Sequence, residues 1–151
     1  MAIGVFGLQV AYKLKRAELL STDDTHGWIG GGFTAGPVSI STVDRIDFSN
    51  DLITASVRSP LSSARYRLAA TGNSNYGWFG GGTFGTGSSL DRIDFSNDSS
   101  NVSPRGQLSS GRYTLAATGN SNYGWFGGGF ISANPHSIVD RMDFSNDFLT
   151  A

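Results

Sequence analysis

The chain has no cysteine and only two histidines among its 151 residues. Disulfide scaffolds, thiolate metal sites and cysteine nucleophiles are therefore excluded. Charge is scarce too. Asp, Glu, Lys and Arg together make 15% of the chain, and a formal net charge of −1 offers no basic field to nucleic acid or to an anionic membrane. The apolar run from Ala2 to Tyr12 falls short of the about 20 residues that cross a bilayer, and no basic stretch precedes it. Neither membrane insertion nor a signal peptide is expected. Alanine, not glycine, follows Met1, which excludes myristoylation.

What the chain has in excess is glycine, 21 residues, together with 12% aromatics. That many aromatics is too many for a disordered linker. They recur in phrase. Tyr123-Gly124-Trp125-Phe126-Gly127-Gly128-Gly129, followed by Asp140 to Asp147, repeats Tyr76 to Gly82 with Asp91 to Asp98, and in worn form His26 to Gly32 with Asp44 to Asp51. Trp28, Trp78 and Trp125 are 50 and 47 residues apart, and Arg45, Arg92 and Arg141 are 47 and 49 apart. Self-similarity at this period means stacked supersecondary units. The reading is about three repeats, over about 15–62, 63–109 and 110–151, behind a non-repeat segment at 1–14.

Each unit reads as short strands. Tyr66 to Thr71 alternates faces with a period of two and reads as a first strand. Gly72-Asn73-Ser74-Asn75 is hairpin-turn chemistry, glycine and asparagine tolerating positive φ. Tyr76 to Phe79 returns and ends in three glycines, which suit close backbone approach or positive φ. Leu90 to Phe95 is a third strand. Asn101 to Arg105 is a weaker fourth one, and its Pro104 belongs on an edge. The fold class is all-β, with sheets at about 15–55, 63–103 and 110–148 and any helix confined to residues 1–20.

The order of these phrases resembles a kelch repeat. Arg65 and Arg112 match that motif's arginine, Tyr76 and Tyr123 its aromatic, and Gly80-Gly81 and Gly127-Gly128 its double glycine. The usual tryptophan before the arginine is absent, with Val57 and Val102 nearby. The resemblance covers about residues 15–151 and implies kelch-like propeller blades, typically four-stranded. More narrowly, Ala-Ala-Thr-Gly-Asn-Ser-Asn-Tyr-Gly-Trp-Phe-Gly-Gly-Gly with Asp-Arg-Ile-Asp-Phe-Ser-Asn-Asp resembles repeat-containing tail-fibre and virion proteins of marine tailed bacteriophages, as does the opening Gly4 to Leu8. That resemblance implies location in a phage particle; otherwise the chain would be extracellular or soluble.

The candidate chemistry weakens on inspection. Asp-Arg-x-Asp pairs carboxylates with an arginine, yet it recurs in every unit, whereas a catalytic constellation is needed once. Arg–carboxylate pairs between packed sheets account for it. Asp47-x-Ser49-x-Asp51 and its copies space oxygens as a calcium loop does, but lack the glycine and glutamate such a loop needs; an Asx turn accounts for them. His26 and His136 have no serine or histidine pattern around them. Trp28, Trp78 and Trp125, flanked by glycines, read as core between units. The expectation is no enzyme: no catalytic residue, no cofactor and no metal.

The leading expectation is a structural or adhesion component of a virion, a tail fibre or similar, with the repeats as rigid spacer or binding surface. The alternative is a carbohydrate- or protein-binding module outside a virion. Val5, Phe6, Leu8, Val10 and Tyr12 are the expected docking residues, either covering an edge of the first unit or anchoring to other virion proteins. Deleting residues 2–12 should then release the chain from its assembly. A host-surface glycan or protein is a further expected partner. Propellers close with about four to eight blades, so three units predict more repeats after Ala151 or a homo-oligomer.

Overall fold

The structure, a computed structural model, describes residues 25–36, 38–50, 52, 54–82, 87–100 and 102–147. The expected lead-in, any helix in residues 1–20 and the docking residues Val5 to Tyr12 lie outside the described residues. Within them the chain is all-β, its only helical element being a 3-10 turn at Phe95–Asn97. Three small antiparallel sheets follow one another. The first holds β1 (His26–Phe33), β2 (Ser39–Asp47) and β3 (Ser56–Arg58) in that order. The second is a four-stranded meander of β4 (Ala69–Gly72), β5 (Tyr76–Gly80), β6 (Ser89–Asp94) and β7 (Ser103–Gln107). The third begins with β8 (Ala116–Gly119) and β9 (Tyr123–Gly127). A side hairpin, β10 (Phe130–Ile131) and β11 (Asn134–Pro135), then intervenes before β12 (Val139–Asp143) completes the order β8-β9-β12. Among the described residues the sheets close no barrel or ring.

Two local details differ from expectation. The strand placed at Tyr66 to Thr71 begins only at Ala69, because Arg67 sits at φ 58° and the chain upstream turns Arg65 into the sheet. Thr114 repeats this at φ 55°. The hairpin turn after β4 contains no positive φ. Asn73 instead acts as an acceptor, its Oδ1 taking the amides of Asn75 at 2.9 Å and Tyr76 at 3.0 Å. Pro104 lies on the edge strand β7, where a missing N–H costs no ladder bond.

The core lies between sheets. One cluster joins Val43 of the first sheet to Phe79, Ile93 and Val102 of the second; another joins Trp78 and Leu90 to Phe126, Met142 and Phe144 of the third. The glycine triplet makes this possible. A Cβ on Gly80 would meet the Phe126 ring at 2.7 Å, and one on Gly30 would meet Phe79 at 2.8 Å, so each glycine vacates a slot for the next sheet's aromatic. Gly81, at φ 73°, then turns the chain where a Cβ would strike the Arg112 carbonyl at 2.7 Å. β4 lies against β8.

Candidate functional site

The repeated polar residues assemble into two kinds of link. In the first, an arginine arriving ahead of a sheet is threaded into it. Arg65 is 1% exposed and donates to the Ser89 carbonyl at 2.9 Å, the Ser89 hydroxyl at 2.6 Å and the Gly81 carbonyl at 3.3 Å, while its Nη2 pairs with Asp91. Burial pushes the Arg65 guanidinium below its ordinary value, opposed by Asp91. Arg112 copies the arrangement, reaching Asp140 at 2.9 Å and the Gly128 carbonyl at 3.0 Å.

The second kind crosses between sheets. Asp98, just after the 3-10 turn, accepts from Trp28 Nε1 at 2.9 Å and pairs with Arg45 at 3.2 Å and Arg58 at 3.1 Å, all from the first sheet. Asp147 receives Arg92 of the second sheet at 2.8 Å, without an indole donor beside it. Above these pairs, Phe95 stacks on Trp28 at 4.0 Å and Phe144 on Trp78 at 4.1 Å. The Asp-Arg-x-Asp element thus divides its labour. Its first aspartate holds the incoming arginine, and its arginine reaches the next sheet. The sequence suggested pairing across packed faces but not that Arg65 and Arg112 serve the first aspartate. Their near-identical phrases were the available signal.

The Asp-x-Ser turns are Asx turns. Asp47 takes the Ser49 hydroxyl at 2.6 Å and its amide at 2.9 Å, and Asp143 takes Ser145 at 2.7 Å and 2.9 Å. These bonds favour the charged form and hold both carboxyls below their ordinary range. Among the described residues no group of His, Asp and Glu has metal-ligand geometry. His26 sits beside the Thr25 hydroxyl at 2.7 Å, and His136 is exposed in the side hairpin's exit.

Among the described residues a groove with polar walls, of about 390 Å³, lies between the hairpin ends of the second and third sheets. Its walls carry Asn75, Tyr76, Asn122 and Tyr123, with Asp143 and Ser145 at one end. Asn73 and Asn120 hold the two turns, each accepting two backbone amides, so the groove edge is rigid while Asn75 and Asn122 face solvent. Amides beside tyrosine rings suit a hydroxylated ligand.

No family model matches the chain, and no curated protein does. Solved structures match its fold. One, titled "Structure of YjhT", aligns with a TM-score of 0.69 at 14% identity over 85% of this chain. The alignment spans 42% of that chain, so this chain corresponds to less than half of it. At this identity the likeness concerns the fold alone.

Proposed function

We propose that the chain is a non-enzymatic repeat module whose sheets are kelch-like blades, serving as a structural or adhesion component of a phage virion, a tail fibre or similar. One observation carries the non-enzymatic reading: the arginines and aspartates that look catalytic in sequence bind each other within and between sheets. The four-stranded meander β4 to β7 and the chain's likeness in fold to a structure more than twice as long support the blade reading. The virion setting rests on the sequence resemblance. There the repeats act as a rigid spacer, and the N-terminal segment attaches them.

Immunogold labelling of purified phage particles with an antibody to the repeats tests this. Label on the fibres is expected; particles free of label, with the protein left in the cleared lysate, overturn it. The polar groove favours a second reading, a carbohydrate-binding module outside any virion. Particles would then carry no label, yet the protein would bind a glycan array through Tyr76 and Tyr123, and alanine at either position would lower the signal.

A further inference from the structure

Among the described residues both junctions between sheets are built from the same parts, and the first and third sheets each present half of another. The trailing face of the first and second sheets is covered by the sheet that follows. Val43 and Leu90, at equivalent places in β2 and β6, are both 0% exposed. Their counterpart in β12, Val139, is 64% exposed. Gly30 and Gly80 each receive a ring from the next sheet, whereas a Cβ on Gly127 would meet only the Val139 side chain, at 3.6 Å. Arg45 and Arg92 reach an aspartate of the next sheet, whereas Arg141 is exposed and, among the described residues, meets the Tyr123 ring at 4.8 Å and no carboxylate at ion-pair distance. Trp28 and Trp78 carry a stacked phenylalanine; among the described residues the ring beside Trp125 is Tyr123 of its own strand, at 6.0 Å. The result is an open cavity of about 360 Å³ against β8 and β9.

The first sheet presents the other half. Ile29 stands where Phe79 and Phe126 stand in the later sheets. Those rings are 4% and 0% exposed, and Ile29 is 60% exposed. Phe48 stands where Phe95 and Phe144 do and is also 60% exposed. It is already posed, since a Cβ on Gly27 would strike its ring at 2.5 Å, just as Gly124 makes room for Phe144. Its outer face therefore waits for an indole.

We propose that the open face of the third sheet, formed by Trp125, Gly127, Val139 and Arg141, is a docking surface for the first sheet of a second copy of this chain. Ile29 enters the Gly127 slot and Phe48 stacks on Trp125. The two internal junctions specify the occupant, because they show twice what chemistry covers this face. Complementary patches on opposite ends make the contact head to tail, which closes into a ring or continues as a filament according to the rotation between copies. The inference rests on the repeat reading of the sheets and is independent of the virion setting.

Light scattering and sedimentation of the 151-residue chain test it, with Gly127→Leu to fill the slot, Arg141→Glu as a second, exposed lesion on the same face, and Ile29→Asp on the opposite face. Wild type should exceed the 16.0 kDa of one chain. Each variant should keep its circular dichroism and weaken self-association by more than about tenfold. Mixing Gly127→Leu with Ile29→Asp should restore one junction and give a dimer, since one chain keeps an intact first sheet and the other an intact third. A monomeric wild type overturns the inference, as does a mixture that stays monomeric or association that survives all three substitutions. A wild type that associates only after residues 2–12 are deleted also overturns it, because the chain's own segment would then be the occupant. A folded monomer would leave particle labelling unaffected, so the two readings fail separately.

Discussion

Replacing Asp91 by alanine removes the anionic half of the buried pair at the centre of the second sheet. Arg65 and Asp91 are 1% and 0% exposed. The substitution leaves a guanidinium in the interior with the Ser89, Gly81 and Phe79 oxygens but no counter-charge, and it also strips the Ser62 amide of its acceptor at 3.0 Å. Breaking one side of such a pair costs about 3–5 kcal/mol, a large part of the roughly 5–15 kcal/mol that holds a domain folded. Tm should fall by roughly 10–20 °C for a chain of this size. Urea unfolding followed by tryptophan fluorescence suits the measurement, since Trp78 lies buried in β5 of the same sheet. The double variant Arg65→Met with Asp91→Leu should be less destabilised than either single one, because no charge is then left unpaired. Losses under about 1 kcal/mol for both single variants would refute a desolvated structural pair.

Gly81→Val forces a β-branched residue to φ 73° against the Arg112 carbonyl and should cost roughly 2–4 kcal/mol by urea titration. Thr114→Gly should act in the opposite sense: relieving a left-handed residue at φ 55° gains about 1–2 kcal/mol and added freedom in the unfolded chain returns about 0.5–1, so Tm should rise slightly. Asp47 and Asp143 have folded pKa values below their unfolded ones, so their contribution is present above the unfolded value and fades as pH falls through the folded one. Acid titration of stability should therefore steepen below the ordinary carboxylate range, and Ser49→Ala with Ser145→Ala should flatten that part of the curve.

Much of the fold could be read from the chain because the repeat confined the problem. Once the tryptophans set the period, strand alternation and glycine turns placed Tyr76–Gly80 and the strand at Leu90 to within about a residue. The first strand of each unit was overextended because nothing in Arg65-Tyr66-Arg67 signals a left-handed residue; the burial of Arg65 decides its course. The links were half legible. Sequence pointed to a carboxylate partner for Arg45, but Asp98 lies 53 residues away, in a turn whose other aspartate, Asp94, makes the local Asx bonds to Ser96. Only packing shows that it accepts from Trp28 and Arg45 of the preceding sheet and pairs with Arg58 as well. The polar groove was not legible at all, since its walls come from two hairpins whose asparagines read simply as turn formers.

The same repetition explains why the third sheet carries the same junction residues as the second. Val43, Leu90 and Val139 are interchangeable in sequence, and their exposures run from 0% to 64% solely according to whether a sheet follows. An ordinary surface strand would place a polar residue at such a position, because an exposed apolar side chain gains nothing there and invites association. Here the aliphatic position, the indole and the arginine persist into the last sheet, while the phenylalanine persists at the outer face of the first. Each is a junction residue, and Gly127 keeps the open slot that only a neighbour's side chain would fill. Terminal repeats of stacked arrays ordinarily carry a polar outer face for solubility. A third sheet that keeps its full set of junction residues instead retains the chemistry for another sheet to stack against it.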